Sequence, residues 1–253
     1  MYSLKNLPIG VFDSGIGGLN VLNKLVNSFK NESFVYFGDN LNAPYGNKSK
    51  SQLLSLCKNA INELLNYNVK AVVIACNTAS TNCLNELKAE FINLVIVGTF
   101  PTVINSKNTI LFATLNTAKS NFIKSNFNNA KIVPLKNLAK NIEDYFCFNT
   151  PINFKAIKRE AKVKYKSVIL GCTHYIFLKK QFKNFFNCKV YDGLSGVANR
   201  LKACLKQCNH INKERYLYFI GDSATFNFEV YKRAFGVKRG LKVVINPKKI
   251  KKN

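Results

Sequence analysis

The sequence predicts an α/β protein made of two similar domains, each a parallel-rich sheet flanked by helices, with a ligand cleft between them. Three observations carry that expectation. Short β-rich runs alternate with amphipathic helical stretches along the chain, the rhythm of parallel α/β folds. The runs are continuously apolar rather than alternating, as in strands covered on both faces. Finally, sequence schemes recur at nearly constant spacing. "VVIACNT" (72–78) and "VILGCTH" (168–174) share an apolar strand, a small residue, a cysteine and polar residues, and their cysteines, Cys76 and Cys172, stand 96 positions apart. "IGVFDSGIGG" (9–18) and "TILFATLNTA" (109–118) match with an offset of 100, and the strands starting at Phe34 and Ala130 with one of 96.

Taken in order, the first predicted strand is IGVFD (9–13). It runs into the glycine-rich turn DSGIGG and the amphipathic segment GLNVLNKLVNSF. FVYFG (34–38) ends in the loop DNLNAPYG, whose Asn, Pro and Gly content reads on its own as a plain turn. The helical segment KSQLLSLCKNAINELLNY leads to AVVIA (71–75), with Cys76 at its end. A helix is expected to start there, capped by Asn77 or Thr78. LVIVG (94–98) closes the first half and TILFA (109–113) opens the second, with Thr114 and Thr117 at an analogous helix start. AKIVP (130–134), SVILG (167–171) and CKVYD (188–192) continue it, with Cys172, Thr173 and His174 after the second of these and HYIFLKKQFKNFF as a helical segment. YLYFIG (216–221) and KVVI (242–245) are expected to return to the first half. The division is then 1–97 plus 209–253 for the first domain and 98–208 for the second. Crossovers should be right-handed. Ligands of open parallel sheets bind beyond the carboxyl ends of the strands, so both cysteines are expected at one cleft.

Composition narrows the function. The chain has 253 residues, 47% of them hydrophobic, which fits a globular protein with one large core or two smaller ones. Its apolar runs are too short to span a bilayer and the start, "MYSLKNLPIG", lacks the apolar segment of an export signal. A cytoplasmic location with no membrane partner is expected. The eight cysteines are scattered, without a C-x-x-C pair, and are expected as reduced thiols. Only two histidines, His174 and His210, are present, which excludes a His-rich metal centre. Cys204, Cys208 and His210 read as helix packing rather than as zinc ligands, so no metal is expected. The net charge of +25 raises a nucleic-acid or acidic partner. The lysines are dispersed except in the tail "NPKKIKKN" and no aromatic-basic RNA module occurs. Nucleic acid is therefore not expected as the main partner; the charge suits attraction of a dianionic small molecule.

The turn after the first strand invites a nucleotide reading. The dinucleotide fingerprint needs glycine at position 20, where the chain has Asn20, and Glu32 or Asp39 only weakly mimics the acidic residue further on. Chemistry points instead to the strand ends. A helix start offers free N–H groups that bind carboxylates and favours the thiolate of a nearby cysteine. Two thiols on opposite faces of a substrate can remove a proton from one side and return one on the other. Such a pair inverts a stereocentre without metal or organic cofactor. A disulfide between them would consume both reagents.

The ordered set "DSGIGG", "DNLNAPYG", "ACNTAS", "ATLNT" and "LGCTHY", from about residue 9 to about 222, resembles the glutamate racemases, cofactor-independent enzymes that supply D-glutamate for bacterial peptidoglycan. The resemblance implies that Cys172 takes the α-proton of L-glutamate and Cys76 that of D-glutamate, assisted by His174 and Asp13 respectively. It implies that Ser14, Tyr45, Gly46, Asn77, Thr78, Thr117 and Thr173, with Asp13 and His174, hold the substrate's carboxylates and amine. The segment "LAKNIE" makes Glu143 the counterpart of an assisting glutamate. The family further implies a homodimer. The chain departs from the family pattern where "CTHYIFL" lacks a proline after the tyrosine and where Gly193 replaces a serine after Asp192. The rival readings are an aspartate or hydantoin racemase of the same superfamily and, from another class, a basic protein that binds nucleic acid or gyrase.

Overall fold

A computed structural model describes residues 7–205 and 214–246. Among these are ten strands and ten α-helices, for the most part in alternation. The first half contains β1 (Ile9–Asp13), α1 (Leu19–Ser28), β2 (Phe34–Gly38), α2 (Lys50–Leu65), β3 (Ala71–Ile74), α3 (Asn77–Glu90) and β4 (Val95–Gly98). The next stretch holds β5 (Thr109–Ala113), α4 (Leu115–Lys119), α5 (Asn121–Asn126), β6 (Ala130–Pro134), α6 (Leu138–Phe148), α7 (Lys155–Glu160), β7 (Ser167–Gly171), α8 (Lys179–Phe186), β8 (Lys189–Tyr191) and α9 (Leu194–Cys204). The chain finishes with β9 (Arg215–Ile220), α10 (Ala224–Phe235) and β10 (Leu241–Ile245).

The strands form two sheets, ordered β10-β9-β2-β1-β3-β4 and β6-β5-β7-β8. Every described pairing is parallel. The order β2-β1-β3-β4 repeats as β6-β5-β7-β8, so the sequence repeat corresponds to one folding pattern used twice. As expected, β9 and β10 return to the first sheet, extending it beyond β2.

Central strands are buried throughout: β1, β3, β5 and β7 expose no residue. The edge strands β6, β8 and β10 do, which matches their mixed composition. One core runs continuously from β1, α1 and β2 to Phe112, Val168 and Leu170 of the second sheet and Phe182 of α8. A second core lies between the other face of the first sheet and α2 and α3. A third, smaller core covers Leu111, Ala113 and Ile169 with Ile123 and Phe127. The longest helix, α2, starts with a capping box in which Ser49 and Gln52 satisfy each other's backbone N–H groups.

Glu32, which weakly mimics the acidic residue of the dinucleotide fingerprint, has another role. Its carboxylate pairs with Lys70 at 2.6 Å and both side chains are about nine-tenths buried. This pair joins the chain before β2 to the chain before β3. Removing one partner of a buried pair exposes the other to an uncompensated desolvation penalty. Glu32→Gln is therefore expected to lower the unfolding free energy by about 3 kcal/mol. Urea denaturation of the two proteins at pH 7 measures it; unchanged stability would show the pair to be inert.

The seven cysteines among the described residues are free thiols. Cys204 ends α9 on the surface; its two companions in the metal-ligand reading, Cys208 and His210, lie outside the described residues, as do the domain boundary at 208/209 and nearly all of the basic tail. Among the described residues no helix is long and apolar enough to cross a membrane.

Candidate active site

Five strand ends converge. β1, β2, β3, β5 and β7 deliver Asp13, Asp39, Cys76, Thr114 and Cys172 to one region, joined across the two sheets by contacts such as Thr78–Thr114 and Thr173–Asp13. Cys76 and Cys172 are buried, with 5% and 6% of their surface exposed. Asp13, Ser14, Tyr45, Gly46, Asn77, Thr78, Thr117, Thr173 and His174 are buried as well.

Cys76 is itself the N-cap residue of α3, and neither Asn77 nor Thr78 caps that helix. This corrects the sequence expectation. Both side chains are drawn elsewhere. Asn77 donates to the Thr99 carbonyl at 3.2 Å. The Thr78 hydroxyl meets those of Thr114 at 2.9 Å and Thr117 at 3.2 Å. Thr114 instead caps α4, its hydroxyl accepting from the Thr117 N–H at 3.3 Å. Three hydroxyls from two sheets thus form one cluster.

The Cys76 thiol donates to Ser14 Oγ at 3.7 Å. Burial pushes this thiol up to about 12; the Asp13 carboxylate and the Cys172 sulfur act in the same direction, while the Ala79 N–H and Ser14 oppose it. The two sulfurs are therefore electrostatic neighbours, and at neutral pH Cys76 holds its proton. Burial likewise raises the Asp13 carboxyl, partly offset by the charge of His174 and the Gly15 N–H.

On the other side, Cys172 Sγ lies 3.9 Å from His174 Nδ1, and His174 Nε2 lies 2.6 Å from Glu143 Oε1. Glu143 also accepts from the Ile16 N–H at 2.8 Å and from the Asn40 amide at 3.3 Å. Burial works against the charged imidazole, but the contacts with Cys172 and Glu143 overcome it and raise the His174 pKa well above its ordinary value. The result is an imidazolium held between the Cys172 sulfur and the Glu143 carboxylate. Glu143→Gln is expected to lower the His174 pKa, because it removes the anion that favours the charged ring. With two histidines in the chain, an imidazole NMR titration resolves the shift. Unchanged titration would contradict the coupling.

The glycine-rich turn has a use the sequence left open. A Cβ on Gly15 would stand 2.0 Å from Glu143 Oε1, and one on Gly17 would stand 2.3 Å from His174 Nδ1 and 2.6 Å from Thr173 Oγ1. What approaches this backbone is the second sheet's machinery. Thr173 also donates to Asp13 Oδ2 at 3.2 Å. Asn20, the residue that breaks the dinucleotide pattern, donates to the Gly17 and Thr173 carbonyls at 3.2 Å each.

The loop DNLNAPYG is more than a plain turn. Tyr45 donates to Asp39 Oδ2 at 2.7 Å, Gly46 backs onto Thr114, and Asn116 donates to the Tyr45 and Lys48 carbonyls at 3.2 and 2.8 Å. Asn20, Asn40, Thr114 and Asn116 join the sequence-derived set as residues that tie the region together. Asn40 and Asn116 lie in the motifs "DNLNAPYG" and "ATLNT" and Thr114 at a helix start, but none of the four was singled out as a site residue by the sequence. Asp192, before Gly193, accepts from the Leu194 N–H at 3.0 Å and pairs with Lys179.

No family model matches the chain. A curated glutamate racemase of Clostridium botulinum is 36% identical over 230 residues, which is 83% of this chain and 88% of that protein. The crystal structure of a glutamate racemase isoform from Bacillus anthracis superimposes with a TM-score of 0.78 at 24% identity, covering 98% of this chain and all of the other. A glutamate racemase from Francisella tularensis, solved in complex with D-glutamate, gives 0.71 at 24% identity and covers 95% of this chain and 98% of its own.

Proposed function

The chain belongs to the glutamate racemase family, whose members are isomerases, and from that premise we propose that it interconverts L- and D-glutamate by proton exchange between Cys76 and Cys172. The observation that supports this most is the pairing itself: two buried thiols at matching strand ends of two sheets, Cys172 beside His174 and Cys76 beside Ser14 and within the electrostatic reach of Asp13.

In the L-to-D direction, Cys172 takes the α-proton as a thiolate beside the His174 imidazolium. The electron pair stays on the α-carbon, and Cys76, held as a thiol, returns a proton to the opposite face. In the D-to-L direction the roles exchange. Asp13, raised by its burial, then accepts the Cys76 proton at a smaller mismatch than an ordinary carboxylate. The α-proton of an amino acid is weakly acidic, so the carbanion needs stabilisation. The N–H groups at the α3 start and the exclusion of water by a buried site are the means the chain offers. Ser14, Tyr45, Gly46, Asn77, Thr78, Thr117 and Thr173 are assigned to the substrate's carboxylates and amine. Because these residues are buried, glutamate enters only when the two sheets move apart at their shared face.

In this reading residues 1–97 with 209–253 and residues 98–208 are the two domains that open and close. The enzyme works in the cytoplasm as a homodimer and supplies D-glutamate for the cell wall. Light scattering tests the dimer, which has twice the 28.5 kDa of one chain. Incubating the purified protein with L-glutamate and no added cofactor, and following the loss of optical activity, tests the reaction. Full racemisation of aspartate or a hydantoin, with glutamate untouched, would reassign the substrate.

A further inference from the structure

Away from the thiols, two adjoining cavities lie along α7. One, of about 350 Å³, is floored by Leu135, Leu138 and Ile157 and rimmed by Lys136, Lys155 and Arg159. The other, of about 550 Å³, lies against Ile152 and Phe154 and is rimmed by Lys155, Lys158, Arg159 and Lys162. Asn153, Lys155 and Arg159 line both, so the two make one groove.

No carboxylate lines either cavity. Glu160, the one acidic residue of α7, is turned to Lys131 at 2.6 Å, and Asp144 on α6 is paired with Lys140. Lys158 rests over the Phe185 ring at 5.6 Å. Lys155, Lys158 and Arg159 stand at helical spacing on α7, with Lys162 in the turn just after it, and like charges so placed repel. The groove therefore carries an unfavourable positive potential that a bound polyanion would relieve. Its concavity and apolar floor fit a compact molecule with an uncharged organic part.

We propose that this groove binds an organic di- or triphosphate, with phosphates against Lys155, Lys158, Arg159 and Lys162 and the organic portion over Leu135, Leu138 and Ile157. The site is separate from the thiols, so direct binding reads it independently of racemisation. Calorimetric titration with ATP and with inorganic tripolyphosphate, at about 0.15 M salt, is the experiment. One saturable site is expected, with ATP the tighter ligand because it also covers the apolar floor. Lys155→Ala with Arg159→Ala should weaken ATP about tenfold or more, as charge-assisted hydrogen bonds are lost. All the substituted residues are exposed, and equal melting temperatures confirm intact folding. Lys88→Ala with Lys124→Ala, two exposed lysines elsewhere, should change nothing. Three results would overturn the proposal: no saturable binding of ATP, equal weakening by the control pair, or retention of a single-stranded oligonucleotide by the groove with ATP ignored.

Discussion

Replacing either catalytic cysteine by alanine is expected to abolish racemisation. Cys76→Ala and Cys172→Ala should each lower kcat by about three orders of magnitude or more, the scale of a positioned acid or base, and the double variant should be little worse than either single one, because the two act as a unit. Neither change should unfold the protein. A cysteine-to-alanine change removes one sulfur from sites that are lined by polar groups, Ser14 at 3.7 Å from Cys76 and His174 at 3.9 Å from Cys172. Steady-state kinetics with each enantiomer, alongside thermal melting, checks both statements. Serine in place of either cysteine should also fail, since a hydroxyl is a far weaker acid than a thiol. Single variants with near wild-type turnover would remove the two-thiol mechanism.

Gly17→Ala is expected to have the second largest effect, although it adds one carbon to a residue with no chemistry of its own. That carbon would lie 2.3 Å from His174 Nδ1 and 2.6 Å from Thr173 Oγ1, and something must move. His174 is held by Glu143 at 2.6 Å, and Thr173 is tied to Asp13 and, through its carbonyl, to Asn20. The strain therefore passes to the contact between the two sheets. Misplacing catalytic groups by about 1 Å costs on the order of a hundredfold in rate, and overpacking costs about 1–3 kcal/mol in stability. Kinetics and a urea melt should show both losses. A variant with normal kcat would mean that this close approach is not part of the reacting state.

Much of the fold was legible in the sequence, for a physical reason. A strand covered on both faces must be apolar along its length, and β1, β2, β5 and β7 fall where their apolar runs lie. The repeat was legible because both halves bring a cysteine to the end of the third strand of the same pattern. Capping was misread at α3 because a propensity for Asn or Thr says nothing about competing partners. Thr99 and the Thr114–Thr117 pair claim those side chains across the fold. The contacts of Asn20, Asn40 and Asn116 with the other sheet's residues were invisible for a related reason. Their partners lie 153, 103 and 71 positions away, and periodicity carries no information about such pairings. The glycine turn was the most instructive case. Its spacing suggested backbone approaching a ligand, whereas the close approach is made by Glu143, His174 and Thr173.

The central claim is that each thiol serves one face of glutamate, and isotope exchange without racemisation tests it most directly. In D₂O, the Cys172→Ala variant retains only Cys76 and should slowly exchange the α-hydrogen of D-glutamate while leaving that of L-glutamate in place. The Cys76→Ala variant should show the opposite preference. NMR of the recovered amino acid reads the deuterium content at the α-carbon. Exchange of both enantiomers by either single variant, or of neither by both, would contradict the assignment of Cys76 and Cys172 to opposite faces.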